Sequence, residues 1–157
     1  MSSLSNLVVK KSGTKNLIFT SAGNHSVFID NWLKPNRAFD IMVAFYGDDD
    51  LKYTEYKENA DYIFKREGSK YQNLLYAYNS MPDIFEAYER FFLLDDDIIF
   101  DSVADINKMF RVAKKLDLWL ASPTFHGEGR SKISHGITKQ QPKYHLRYTN
   151  FLENGTA

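Results

Sequence analysis

Three consecutive aspartates, Asp95, Asp96 and Asp97, follow the short apolar run 91–94 and precede a second apolar run. A short apolar run is typical of a buried strand, and open α/β sheets hold their ligands at the carboxyl ends of strands. Alternation along a strand puts Asp95 and Asp97 on one face and Asp96 on the other. Carboxylates are preferred ligands of Mg²⁺ and Mn²⁺, which also bind phosphate oxygens. The spacing favours a metal-assisted phosphate site, with a solvated acidic turn as the alternative.

A second acidic cluster, formed by Asp48, Asp49 and Asp50, follows the strand-like run 39–46. Because the carboxyl ends of parallel strands meet at one edge of a sheet, this cluster is expected on the same edge as Asp95. Asp48 is its candidate for a contact to the ribose or base of a nucleotide. A solvated acidic turn is the favoured alternative.

Two further candidates lie where predicted elements begin or end. Lys70 stands at the start of a predicted helix, where its charge could meet phosphates, because helix amino termini favour anions. A solvated surface lysine is an equally good interpretation. Gly23 ends the first predicted strand and could let its loop pass close to a nucleotide base, although an ordinary turn glycine explains it equally well.

The order of predicted elements defines the fold class. Strands are predicted at 16–21, 39–46, 62–65, 91–94 and 118–121, and helices at 26–33, from Lys70 onward and at 103–116. Their alternation predicts an α/β protein with a mostly parallel sheet and flanking helices. We expect one domain over 1–157, with a flexible or edge segment at 1–15, an α/β core at 16–123 and a loop-rich region at 124–157.

Composition bounds the class of protein and its partners. The 157 residues are 43% hydrophobic and 15% aromatic, which is enough for one core, and the formal charge of zero favours neither nucleic acid nor an anionic membrane. The chain has no cysteine, which excludes thiolate chemistry and is compatible with a reducing cytosol. No secretory signal or membrane span is recognisable, so a soluble, cytoplasmic protein is predicted.

Histidines flank a basic loop in the loop-rich region. His126 and His135 stand on either side of 127–132, a segment that could close over phosphates or contact an acceptor. The histidine spacing does not match compact zinc sites, so polar surface is the preferred interpretation. A serine hydrolase is poorly supported, because no Gly-x-Ser-x-Gly motif occurs.

The element order, together with the Asp-x-Asp strand end, resembles the nucleotide-sugar-binding half of GT-A glycosyltransferases. More narrowly, YIF at 62–64, FLLDDD at 92–97, SHGIT at 134–138 and TNFLE at 149–153 are similar to a little-characterised glycosyltransferase-like family, over roughly 16–153. The resemblance implies metal-dependent transfer of a sugar from a nucleotide donor to an acceptor, with Mn²⁺ or Mg²⁺ as cofactor. It implies that Asp97 binds the metal and that Asp95 binds the metal or the ribose.

GT-A enzymes of this kind are usually longer, and the resemblance implies that their C-terminal part has no counterpart here. That part normally supplies acceptor contacts and the catalytic base of inverting members, so no catalytic residue is assigned and enzyme activity stays open. One alternative is a non-catalytic interaction module whose exposed apolar edge is covered by a second copy or another protein. Another is a metal-dependent phosphohydrolase that uses the same aspartates.

Overall fold

The computed structural model describes residues 13–126 and 135–149, and in this part four strands form one sheet. The strands are β1 (Asn16–Ala22), β2 (Asp40–Phe45), β3 (Tyr62–Lys65) and β4 (Arg90–Asp95). Their order across the sheet is β3-β2-β1-β4, and every neighbouring pair is parallel. The predicted α/β class with a parallel sheet is confirmed.

Helices cover both faces of the sheet. They are α1 (Phe28–Asn31), α2 (Asp50–Asn59), α3 (Lys70–Ser80), α4 (Pro82–Glu86) and α5 (Val103–Lys115). Side chains of α1, α2 and α5 share one hydrophobic cluster with the sheet, and those of α3 and α4 share the other. The molecule therefore has three layers, with a core on each side of the sheet.

The sequence of β1 explains why both faces are covered. Ile18 and Ala22 belong to the cluster under α1, α2 and α5, whereas Leu17 and Phe19 belong to the cluster under α3 and α4. Every residue of β2 is buried. Parallel strands covered on both faces read as continuous apolar runs rather than as alternating ones, which is the pattern seen here.

Helix α2 is not predicted by the sequence pattern. Tyr56 is its buried residue, and Leu51 is exposed, so its apolar side chains do not form a stripe. The helix begins because the Asp49 carboxylate accepts hydrogen bonds from the backbone N–H groups of Leu51 and Lys52, at 2.9 and 3.2 Å. An acidic N-cap, rather than amphipathic spacing, is the local signal for this helix.

The predicted fifth strand at 118–121 is wrong. These residues form no strand, and the side chain of Trp119 is 97% exposed. Within the described ranges no strand lies beyond β4, which is therefore an edge strand with Phe91 partly exposed. An apolar run becomes a strand only when a neighbour pairs with its backbone, and composition alone does not provide that neighbour.

The buried face of α3 differs in part from the prediction. Helical spacing predicts one apolar face made of Tyr71, Leu74, Leu75 and Tyr78. Leu74 packs in the cluster on this side of the sheet, whereas the other three are exposed. Asn73 and Ala77 are the buried residues of this helix. A buried asparagine is invisible to a search for apolar periodicity, so the spacing identifies Leu74 but misses Asn73.

The chain ends are described only in part. Residues 1–12, 127–134 and 150–157 lie outside the described residues. The basic loop 127–132 and most of the segment predicted at 1–15 are therefore not described. The described part of 124–157 contains an isolated parallel bridge between Phe125 and Lys139 and a 3₁₀ turn at Gly136–Thr138. Within the two described ranges, no helix is both long and apolar enough to cross a bilayer.

Replacing Ile106 by alanine tests the packing of α5. Ile106 is fully buried, so we expect Ile106→Ala to lower the free energy of unfolding by about 2–5 kcal/mol in chemical denaturation. The matched control is Ile99→Ala, since Ile99 is 74% exposed and its loss should cost less than about 0.5 kcal/mol. Equal effects of the two substitutions would contradict the placement of α5 against the sheet.

Candidate functional site

The candidate site lies at the carboxyl edge of the sheet, between β1 and β4. From β1 the chain adds β2 and then β3 on one side, and later places β4 on the other side. In open α/β sheets such a change of direction leaves a crevice outside the carboxyl ends of the two adjacent strands, where ligands bind. Ser21 of β1 is paired with Asp95 of β4, which brings the first predicted loop beside the aspartate triplet.

Asp96 ties the loop after β1 to the loop after β4. Its carboxylate Oδ2 accepts a hydrogen bond from the Gly23 N–H at 3.0 Å. Its backbone carbonyl accepts from Ser26 Oγ at 3.0 Å and from the Val27 N–H at 2.9 Å. Asp96 thus joins the two loops through both its side chain and its backbone.

The pKa of Asp96 is raised by its surroundings. Burial is the main cause, and the negative charges of Asp97 and Asp95 add to it, whereas the hydrogen bond from Gly23 opposes it. The carboxylate therefore carries an electrostatic cost while it holds the loops together.

Lys70 and Asp95 form an ion pair across the crevice. Lys70 Nζ lies 2.5 Å from Asp95 Oδ1, and their side chains are 10% and 27% exposed. The interpretation of Lys70 as a solvated surface lysine is therefore wrong, and the structure brings together two of the predicted site residues. Asp95 lies on the sheet face that α3 covers, because it is two residues from Leu93, which packs in the cluster under α3 and α4. Lys70 reaches this face from the first residue of α3.

The second oxygen of Asp95 has no partner. Asp95 Oδ2 is buried without a hydrogen bond in the described structure, although unsatisfied buried oxygens are uncommon and costly. Asp97 lies in the turn after β4 and is exposed. Hard cations are bound by such oxygens. Mg²⁺ is commonly held by one or two carboxylates, and substrate phosphates and water complete its coordination shell. Among the described residues no group of three or more histidine or acidic side chains could enclose a metal ion.

Asn73 fixes the start of α3 and was missed by sequence reasoning. It is fully buried, and its Nδ2 donates to Ser21 Oγ at 3.0 Å and to the Gly68 carbonyl at 3.1 Å. Its Oδ1 accepts from Arg66 at 2.5 Å. Asn73 follows Lys70 by almost one helical turn, so the hydrogen bonds of Asn73 fix the backbone position from which the Lys70 side chain extends toward Asp95.

Gly23 permits a close contact with an aromatic ring. A Cβ at this position would lie 3.1 Å from the ring of Tyr46, which is tighter than ordinary contact. Tyr46 follows β2 and is about half exposed. Its pKa is raised by burial and by the negative charges of Asp96 and the neighbouring aspartates. Sequence reasoning identified Gly23 but not Tyr46, because an aromatic residue at the end of a core strand carries no separate signal.

The acidic cluster after β2 is largely occupied by local contacts. Asp48 accepts a hydrogen bond from Asn24 Nδ2 at 2.8 Å, and this bond holds the pKa of the exposed Asp48 carboxyl below its ordinary value. Asp49 caps α2, and Asp50 lies 2.5 Å from Lys65 Nζ. Asp48 therefore links the loops after β1 and β2 at the predicted edge, and Asp49 and Asp50 have structural roles.

An apolar groove adjoins the site along β4. Its volume is about 570 Å³, and Phe91 and Leu93 line it from the strand face that also carries Asp95. The side chains of Tyr71, Leu75 and Tyr78 line it from α3, which explains why the predicted apolar face of that helix is exposed.

The fold and the site define an α/β protein with an all-parallel sheet and an acidic cluster at the carboxyl edge beside the change of strand direction. A family model matches residues 4–156, and the chain belongs to that family, which is described as protein of unknown function (DUF707). No curated protein and no solved structure matches the chain.

Two substitutions of Asp96 separate its hydrogen bond from its charge. Because the folded state raises this pKa above the ordinary 3.8, the contribution of Asp96 to stability is largest below that pH and is lost as the pH rises through the raised value. We therefore expect Asp96→Asn, which still accepts from Gly23, to be more stable than the wild type at pH 7, by less than about 1 kcal/mol after solvent screening. The difference should vanish in acid when unfolding is measured across pH.

Asp96→Ala is the companion variant. It leaves the Gly23 N–H without its acceptor, so we expect a loss of about 1–3 kcal/mol that persists at all pH values. Equal stability of the alanine and asparagine variants would show that the side-chain hydrogen bond to Gly23 contributes nothing.

Proposed function

We propose that the carboxyl edge of the sheet binds the diphosphate of a nucleotide-sugar donor through a divalent ion, and that the protein is a metal-dependent glycosyltransferase of GT-A type. The observation that carries the proposal is the Asp95 carboxylate at the crevice between β1 and β4, with one oxygen on Lys70 and the other unpartnered. An acidic site flanked by a lysine suits an anionic ligand that arrives with its own cation.

The residues present fit a divalent ion of the hard class. Asp95 Oδ2 is a carboxylate oxygen without a partner, and the Asp97 carboxylate is exposed in the next turn. Two carboxylates leave coordination positions for phosphate oxygens, which is the usual arrangement for Mg²⁺ and is also suitable for Mn²⁺. When bound, the metal would stabilise the negative charge that develops on the nucleoside diphosphate leaving group.

The remaining residues of the site have separate roles in this proposal. Asp96 holds the two loops in register through its bonds to Gly23, Ser26 and Val27. Tyr46 and Asp48 lie on the side of β2, where they would meet the nucleoside rather than the diphosphate. Lys70 supplies a positive charge for a phosphate oxygen, and no residue of the described part is assigned as the catalytic base.

Calorimetric titration of UDP and GDP, with and without Mn²⁺, tests the donor site without an acceptor. We expect metal-dependent binding of at least one of the two nucleotides. Asp97→Ala should abolish the metal-dependent part of the affinity and leave the fold intact, because Asp97 is exposed and makes the turn more acidic. The matched control is Asp101→Ala, an exposed aspartate beyond the triplet, which should bind as the wild type does.

The contrary results are distinct. Undiminished metal-dependent binding by Asp97→Ala would remove Asp97 from the site. Failure of both nucleotides to bind the folded protein would overturn the donor site and favour the non-catalytic interaction module. Metal-dependent cleavage of phosphoesters without preference for a nucleotide sugar would favour the phosphohydrolase.

A further inference from the structure

The proposed metal ligand already has a cation bound to it from its own chain. The ammonium of Lys70 lies 2.5 Å from Asp95 Oδ1, and the pair is mostly shielded from water, with the lysine side chain 10% exposed. A divalent ion that approaches Asp95 therefore meets a carboxylate that is already paired with a positive charge. It must either share the carboxylate with the ammonium or displace it.

We infer that Lys70 is an exchangeable counterion, which holds Asp95 in the free protein and moves to a phosphate oxygen when the metal and the diphosphate bind together. The inference rests on the proposed function for the identity of the ligand. A lysine suits this exchange, because its ammonium is a compact charge with three donors on a flexible stem. It can leave a carboxylate oxygen for a nearby phosphate oxygen without a change in the backbone.

The start of α3 is anchored, so the exchange involves the side chain alone. Ser69 caps the helix and forms a reciprocal capping box with Gln72. The next residue, the buried Asn73, donates hydrogen bonds to Ser21 on β1 and to the Gly68 carbonyl. These bonds fix the Cα of Lys70 relative to the crevice, so the exchange requires only a rotation of its side chain.

The exchange makes metal binding depend on the diphosphate. Mn²⁺ alone either shares the carboxylate with the ammonium, whose positive charge repels it, or displaces the ammonium and leaves it without an acceptor in a shielded position, and both oppose binding. Mn²⁺ that arrives with UDP brings phosphate oxygens that take up the displaced ammonium. The affinity for metal should therefore rise in the presence of diphosphate, and the affinity for diphosphate should rise equally in the presence of metal.

The test is to titrate the full chain with Mn²⁺ alone and with UDP at saturating Mn²⁺, in the wild type and in Lys70→Met. Methionine has a similar length and no charge. We expect Lys70→Met to bind Mn²⁺ alone about tenfold more tightly, because a positive charge next to the ligand is removed. The same variant should bind UDP with Mn²⁺ several-fold more weakly, because the phosphate loses its donor.

Two control variants exclude other causes. Lys65→Met makes the same charge change in a second lysine–aspartate pair, which has the same 2.5 Å distance but lies on β3, away from the triplet. It should alter neither affinity. Lys70→Arg keeps the ion pair and should keep Mn²⁺ affinity low, and thermal melting checks that each variant is folded.

The outcomes separate this inference from the proposed function. An unchanged affinity of Lys70→Met for Mn²⁺ alone would overturn the exchange, even if the wild type binds UDP with Mn²⁺. An equal gain of Mn²⁺ affinity in Lys65→Met would also overturn it, since the loss of any positive charge on the protein would then explain the gain. A gain in Lys70→Met alone, without UDP binding by the wild type, would support the lysine as a competing cation and reject the nucleotide-sugar site.

Discussion

The hydrogen bonds of Asp96 determine the relative position of the loops that follow β1 and β4. Gly23 donates to its carboxylate, while Ser26 and Val27 donate to its backbone carbonyl, all at 2.9–3.0 Å. Parallel pairing aligns the strands only as far as Ser21 and Asp95. Beyond that pair, the two loops are held together by Asp96, which follows β4 and forms hydrogen bonds to the loop after β1. Gly23, which contacts the ring of Tyr46, is one of the residues that this bridge holds.

Three adjacent carboxylates repel one another, and the protein stabilises each of them differently. Asp95 is paired with Lys70, Asp96 accepts the N–H of Gly23, and Asp97 is exposed to water. The middle residue is therefore structural, whereas Asp95 keeps an oxygen without a hydrogen bond and Asp97 keeps an exposed carboxylate. The division explains why an Asp-x-Asp pattern, rather than the whole triplet, carries the candidate chemistry.

Sequence alone predicted the four strands, because apolar runs in a sheet covered on both faces are continuous and end in turn residues. It failed where structure depends on a partner distant in sequence. The run containing Trp119 has the composition of a strand but no neighbour in the described structure, and α3 buries the polar Asn73 together with Ala77. Likewise, the sequence predicted that both Lys70 and Asp95 lie near the phosphate site. Their ion pair depends on how far the lysine side chain extends, which sequence spacing does not reveal. The polar network of Asn73 carries no periodic signal at all.

A comparison with the opposite edge of the sheet explains why Asp95, and not another carboxylate, is the candidate ligand. Asp40 also has a buried oxygen without a partner, and its other oxygen accepts from the Tyr88 hydroxyl at 2.6 Å. However, Asp40 is 1% exposed and opens β2 at the amino end, where Tyr62 and Tyr88 cover it. The whole Asp40 residue is thus enclosed, and α/β sheets do not bind ligands at that end. Asp95 combines an unsatisfied oxygen with partial exposure and with the change of strand direction, and that combination distinguishes a binding site from a structural polar cluster.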